Sequence, residues 1–249
     1  MVEVPAVNDD PPPTYTAASP PSSSPGPIAE ASATHAKLPA VKPSNYVAIS
    51  RSNGSIKGVW VLDPNLAIPA TLLPPLSTNE TEETRRHFNV SASNGVIDAD
   101  ITLAPLRHEK DSQKPASRRT TIYAHASNGS VITKLHDTSD PRSSFYLNIS
   151  ASNGSVHIHL PRSFHGLLVL KTWNGSVKFS PESLEPLTTF SDVDKTRRCF
   201  IGDYSEMTDE WQGDEVFVEA RNGSVKLYYD DEAKKGERKS GFFERLFGF

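Results

Sequence analysis

The sequence predicts an all-β protein, built as a single-stranded β-solenoid of about six units that each turn at an Asn-Gly pair. Three observations predict it: the pair recurs, apolar and polar residues alternate on both sides of it, and the residues around it barely change. Because a period of two is typical of half-buried strands, each pair is expected to join two strands. The pairs are Asn53-Gly54, Asn94-Gly95, Asn128-Gly129, Asn153-Gly154, Asn174-Gly175 and Asn222-Gly223.

The alternation places equivalent residues on one inner face. In the third repeat Ile122, Ala124 and Ala126 stand six, four and two positions before the Asn, and a Val or Ile follows three positions after every Asn. Arg51 in the first repeat and Thr172 in the fifth interrupt this face. A terminal unit of a repeat array is often atypical, which accounts for Arg51.

A β-sandwich built from hairpins also satisfies the pattern. Asn-Gly is the preferred two-residue type I′ hairpin turn, and residues two before and three after the Asn would share a face. The nearly constant Ser-Asn-Gly-Ser-Val corner favours the solenoid, because stacked corners need a constant sequence whereas a hairpin needs only Asn-Gly. In either fold the long segments 63–86, 106–119 and 181–213 are loops.

Composition divides the chain into three regions. Residues 1–44 hold ten of the 20 prolines and no hydrophobic period, which predicts a disordered Pro/Ser-rich tail. Residues 45–232 hold the repeats and are predicted to form the folded domain. Residues 233–249 are basic and then aromatic.

The repeat units resemble a known family. Residues 92–97 (ASNGVI) and 151–156 (ASNGSV) look like the adhesin-like SNG repeats of a β-solenoid family of unknown function. The Pro-rich start, residues 198–203 (RCFIGD) before the last repeat and the aromatic end resemble a group of uncharacterised fungal proteins. The resemblance implies a β-solenoid and supplies no activity.

The N-terminal region contains a Pro-Pro-x-Tyr motif at Pro12, Pro13 and Tyr15. Such motifs bind WW domains, because a polyproline II backbone is already extended and loses little entropy on docking. The competing interpretation is chance in a Pro-rich stretch. The motif predicts a WW-domain partner, with fungal ubiquitin ligases as the expected class.

The C-terminal segment is amphipathic if helical, with Phe243, Leu246 and Phe247 on one face. It is predicted either to cap the last repeat or to lie weakly in a membrane interface; a frayed tail is the third interpretation. The residues assigned to this role are Phe242, Phe243, Leu246, Phe247 and Phe249.

Several function classes find no support in the sequence. A net charge of −4 argues against nucleic-acid binding, and no nucleophile, phosphate-binding or zinc-protease motif occurs, so we predict no enzyme and no cofactor. His125, His157 and His159 could approach a zinc site, but without supporting ligand spacing we interpret them as solvated and predict no metal. With one cysteine, Cys199, and neither a signal peptide nor an apolar span, we expect a cytoplasmic location. The oligomeric state is left open.

The function predicted first is an adaptor or scaffold, in which the tail recruits one protein and the repeat domain holds another. A carbohydrate-binding or carbohydrate-active domain is the alternative, with Asp98 and Asp100 as a carboxylate pair and Tyr123 and Trp173 as an aromatic platform. A peripheral membrane-associated structural protein is the third hypothesis.

Overall fold

The computed structural model describes residues 41–77, 80–105, 119–138, 142–205, 207–208 and 210–232. All of them lie in His35–Phe249, the second of two units into which the chain divides. Within them β-strands dominate, with a short helix, α1 (Pro181–Leu184), and a 3-10 turn at Ala70–Leu72. The strands are β1 (Pro43–Ser44), β2 (Val47–Asn53), β3 (Ile56–Leu62), β4 (Phe88–Asn94), β5 (Ile97–Leu103), β6 (Thr120–Asn128), β7 (Val131–Asp137), β8 (Phe145–Asn153), β9 (Val156–Leu160), β10 (Gly166–Asn174), β11 (Val177–Phe179), β12 (Leu187–Val193), β13 (Thr196–Ile201), β14 (Asp214–Asn222) and β15 (Val225–Tyr229).

The strands form two sheets. The smaller sheet has seven strands in the order β1-β3-β5-β7-β9-β15-β11, and the larger sheet has eight in the order β12-β13-β10-β14-β8-β6-β4-β2. Neighbouring strands are parallel except for the pairs β10–β13 and β12–β13, which are antiparallel. Equivalent residues of successive repeats are in register, so Ile122 of β6 lies beside Phe88 of β4 and Leu147 of β8.

One hydrophobic core lies between the sheets. Successive side chains of a strand point to opposite faces, so every second residue enters this core. In β8, Phe145, Leu147 and Ile149 are fully buried while Tyr146 and Asn148 between them are half-buried on the outer face. The core takes residues from both sheets.

The predicted single-stranded β-solenoid of about six units is wrong. The structure has two packed sheets whose order does not follow the chain, because β14 lies between β8 and β10 and the larger sheet ends in the antiparallel strands β12 and β13. Two sheets around a common core agree with the sandwich alternative. The Asn-Gly turns do not make hairpins, however, since each joins a strand of the larger sheet to one of the smaller sheet. A period of two reports which side chains point inward and carries no information about hydrogen-bonding partners.

Candidate functional site

The Asn-Gly turns lie side by side along one edge of the two sheets. Between neighbouring turns the side-chain amide of one Asn donates a hydrogen bond of 2.8–3.0 Å to the amide oxygen of the next. A Cβ atom added at Gly154 would come within 3 Å of the Gly129 carbonyl, so the turns are also in close backbone contact. These residues therefore have a structural role, which is to hold neighbouring turns together. The bonded series runs Asn53, Asn94, Asn128, Asn153, Asn222, Asn174.

A buried ion pair lies at the opposite edge, where the strands of the larger sheet begin. The Arg142 guanidinium donates to both carboxylate oxygens of Asp214, at 2.9 and 2.5 Å, and both side chains are less than a tenth exposed. The Asp214 carboxylate also accepts from the Phe145 amide at 3.1 Å. A cavity of about 270 Å³ adjoins the pair and is lined further by Trp211 and His165. Because the charged groups already satisfy one another, we interpret this cluster as structural.

The outer face of the larger sheet carries a row of aromatic and amide side chains. Tyr123 of β6, Asn148 of β8 and Phe217 of β14 are in register on three adjacent strands. Tyr146 lies 5.8 Å from Tyr123 between ring centroids, and Trp173 extends the aromatic surface onto β10. We call the outer face around these five residues the aromatic face.

Cations lie over most of these rings. The Arg86 guanidinium is 3.9 Å from the Tyr123 ring centroid, and the Lys171 ammonium is 4.3 Å from that of Trp173. Such contacts hold a ring in place and cover one of its sides. Burial raises the pKa of the Tyr123 hydroxyl, so that group stays a neutral donor and acceptor. Among the described residues no cation lies over Phe217, whose ring is half-buried on β14.

A shallow depression of about 330 Å³ lies beside Phe217. Its polar lining is varied: an imidazole, an amide, hydroxyls, a carboxylate and a guanidinium. The His125 imidazole is hydrogen-bonded to the Ser150 hydroxyl at 2.7 Å, which fixes both groups. The depression thus combines an apolar ring with fixed donors and acceptors. Its lining residues are His125, Asn148, Ser150, Ala151, Ser152, Phe217, Glu219 and Arg221.

The outer face of the smaller sheet is built from histidines and charges. The two nitrogens of His136 lie 3.2 Å from Asp100 and 2.8 Å from Asp230, so the imidazole bridges two carboxylates. The His159 ring stacks on Tyr228 at 5.2 Å, and burial followed by the Lys134 charge lowers the pKa of its imidazole. This face is held by pairs between its own side chains.

The histidines considered for zinc do not meet. His157 and His159 lie on β9 of the smaller sheet, whereas His125 lies on β6 of the larger sheet, on the other side of the core. In the part of the chain that the structure describes, no group of three or more His, Cys, Asp or Glu side chains is placed to hold a metal ion.

The predicted carboxylate pair is separated from the predicted aromatic platform. Asp98 and Asp100 lie on β5 of the smaller sheet, and Asp100 already binds His136. Tyr123 and Trp173 lie on the larger sheet. A sugar bound on the aromatic rings would therefore be out of reach of both carboxylates.

Cys199 is fully buried in β13, and burial raises the pKa of its thiol. A protonated, inaccessible thiol is a poor nucleophile. This placement makes the side chain part of the core.

Two sets of predicted site residues lie outside the described part of the chain. They are the WW-ligand residues Pro12, Pro13 and Tyr15, and the C-terminal residues Phe242, Phe243, Leu246, Phe247 and Phe249.

Residues 45–232 match the family described as Domain of unknown function (DUF7330). The chain belongs to that family. No curated protein and no solved structure matches it. None of the helices in the described residues has the length and apolar character needed to cross a bilayer.

Several residues of the aromatic face escaped the sequence analysis. Asn148 and Phe217 stand five positions before their Asn, as Tyr123 does, so aligning the repeats on Asn-Gly would have put the three in one row. The same alignment puts Glu219 in one row with His125 and Ser150, three positions before the Asn. That β14 lies next to β8, which brings Glu219 beside Ser150, is not predicted by the order of the repeats along the chain.

Proposed function

We propose that this family domain is a non-enzymatic module that binds carbohydrate on the aromatic face. The observation that supports it most is the half-buried Phe217 ring that lines the polar depression. A sugar ring presents C–H groups on its faces and hydroxyls at its edge, so it needs an apolar ring and nearby donors and acceptors. The Asn148 amide, the Ser150 hydroxyl and the Glu219 carboxylate supply the second requirement.

Binding is favoured over hydrolysis by the number of carboxylates. Glycoside hydrolysis ordinarily uses two carboxyl groups, about 5–9.5 Å apart, on either side of the scissile bond. The depression holds a single carboxylate, Glu219, and Asp98 and Asp100 lie on the other sheet.

The test is a screen of immobilised glycans with the full chain, followed by calorimetric titration of any glycan bound. Phe217→Ala should weaken binding at least tenfold, since it removes the apolar platform. Tyr228→Ala is the matched control, because it removes an outer-face aromatic from the smaller sheet. Equal losses in the two variants, or no glycan bound, would refute the proposal. Release of reducing ends during the titration would make the domain an enzyme instead.

The Pro-Pro-x-Tyr motif favours a second candidate, the adaptor. Pro12, Pro13 and Tyr15 would recruit a WW-domain protein, and the family domain would hold the second ligand, so that both are kept at high effective concentration. A panel of purified WW domains titrated with the full chain and with Tyr15→Ala tests this role separately. It is wrong if Tyr15→Ala leaves binding unchanged or if no WW domain binds.

A further inference from the structure

The two ends of the larger sheet are built from different kinds of strand. Beyond β10 the sheet continues into the antiparallel strands β13 and β12. At the other end β2 is the last strand, and no described strand pairs with its outer side. In the smaller sheet β1 covers only Val61 and Leu62 of β3. An exposed edge of this kind offers free backbone groups on which another strand can pair.

The first repeat differs from the others at inner positions that face this end. Arg51 occupies the position that is Ala92 in the next strand. On the facing strand Trp60 stands beside Ile101. Gly58 precedes Trp60 on the same inner face. These replacements put a charge, a large ring and a space for that ring where the next repeat has Ala92, Ile101 and Ala99.

The replacements cover the end of the core. The Trp60 ring packs edge-on against Phe88 at 5.1 Å between centroids. A Cβ atom at position 58 would lie 2.7 Å from the Trp60 ring, so glycine there gives the indole its space. The Arg51 side chain is exposed and donates from Nη1 to the Ser55 carbonyl at 2.7 Å. The apolar end is thus closed by side chains while the backbone of β2 remains open.

We propose that Arg51 keeps this edge from pairing with a second copy of the chain. A second copy that pairs at this edge through its own β2 would be related to the first by a two-fold axis. When the two seven-residue β2 strands pair antiparallel and overlap fully, each Ser50 lies opposite the Ser50 of the other copy. Each Arg51 then lies opposite Ile49 of the other copy. Burying a guanidinium against an isoleucine without an acidic partner is strongly unfavourable.

The test compares the oligomeric state of full-length variants by light scattering, from micromolar to near-millimolar protein. Arg51→Ala, which restores the alanine found in the neighbouring strands, should form a dimer, whereas the unmodified chain and Arg51→Lys should be monomeric. Lys57→Ala is the matched control: it removes an exposed positive charge from the same repeat, on the outer face of β3. Arg51→Gln gives a second uncharged side chain should the alanine variant unfold.

A cysteine cross-link locates the contact. Cys199 is the single cysteine of the chain and is buried, so Ser50→Cys introduces one accessible thiol. Directly opposed residues of antiparallel strands have Cα atoms about 4.5–5.5 Å apart, within the range of about 4.4–6.8 Å that a disulfide spans. The disulfide dimer should form with Arg51→Ala and not with Arg51 present. Monomeric, folded Arg51→Ala protein, a dimer of the unmodified chain through this edge, or equal dimerisation of Lys57→Ala would overturn the proposal.

Discussion

The two edges of the sheets, at the turns and opposite them, are stabilised in different ways. At the turn edge the same hydrogen bond between Asn side chains is repeated from one turn to the next, in exposed positions. At the opposite edge one buried ion pair, Arg142–Asp214, connects segments 72 residues apart. The first edge contains many equivalent contacts. The second contains a few different ones, of which Arg142–Asp214 is the most deeply buried ion pair and Arg119–Glu215, at 3.1 Å, is a more exposed one.

The difference follows from how the chain reaches each edge. Short, nearly identical turns can only stack on one another, so the turn edge is specified locally. The opposite edge receives loops of different length, and a parallel sheet gives no local signal for where they join. A charged pair with fixed geometry can specify such a junction, because its partners cannot be exchanged without leaving a buried charge. Substitutions at the two edges should therefore lower the free energy of unfolding by different amounts.

The largest loss of stability is expected from Asp214→Ala. It removes the bidentate partner of the Arg142 guanidinium, which is 7% exposed and keeps the more distant Asp137 carboxylate, at 3.5 Å, and it removes the acceptor of the Phe145 amide. Breaking one side of a buried pair costs about 3–5 kcal/mol. The free energy of unfolding, measured by urea titration with circular dichroism, should fall by about 3–5 kcal/mol.

The control is Asp192→Ala, which breaks an ion pair with Arg197 that is far more exposed, at 51% and 33%. Its expected effect is below about 1 kcal/mol. Similar losses in the two variants would mean that the opposite edge does not depend on the buried pair.

The next largest effect is expected from Gly154→Ala at the turn edge. The added methyl would come within 3 Å of the Gly129 backbone, so two turns must move apart. Overpacking of this kind costs about 1–3 kcal/mol. Ser93→Ala, which removes an exposed hydroxyl beside another turn, is the control and should be nearly neutral. A Gly154→Ala protein as stable as the control would show that the turns can separate freely.

The sequence predicted the strands because side-chain direction is a local property. The alternation of Ile122, Ala124 and Ala126 identified the buried positions before any contact was known, and all three are buried. It did not predict the sheets. The position of β14 between β8 and β10 depends on the path of residues 181–213, which no periodicity describes.

The candidate site was predicted only in part, because side-chain direction is a local property whereas the order of the strands in a sheet is not. Tyr123 and Trp173 were singled out as exposed aromatics, and both lie on the aromatic face. Phe217 escaped the sequence analysis, and its place beside Asn148 depends on β14 lying next to β8. Arg142 and Asp214 belong to no motif, and their pairing could be found only in three dimensions.

The smallest effect is expected from Asn128→Ala, and it tests whether the turn edge depends on repetition. Asn128 donates to Asn94 at 2.9 Å and accepts from Asn153 at 2.8 Å, whereas the terminal Asn53 only accepts, from Asn94. Water can replace these exposed partners, so each bond contributes no more than about 0.5–1 kcal/mol. Asn128→Ala should lower the free energy of unfolding by roughly twice as much as Asn53→Ala, in urea titrations run side by side. Equal losses would show that the turns are stabilised by backbone contact alone, and that the series of asparagine bonds adds nothing.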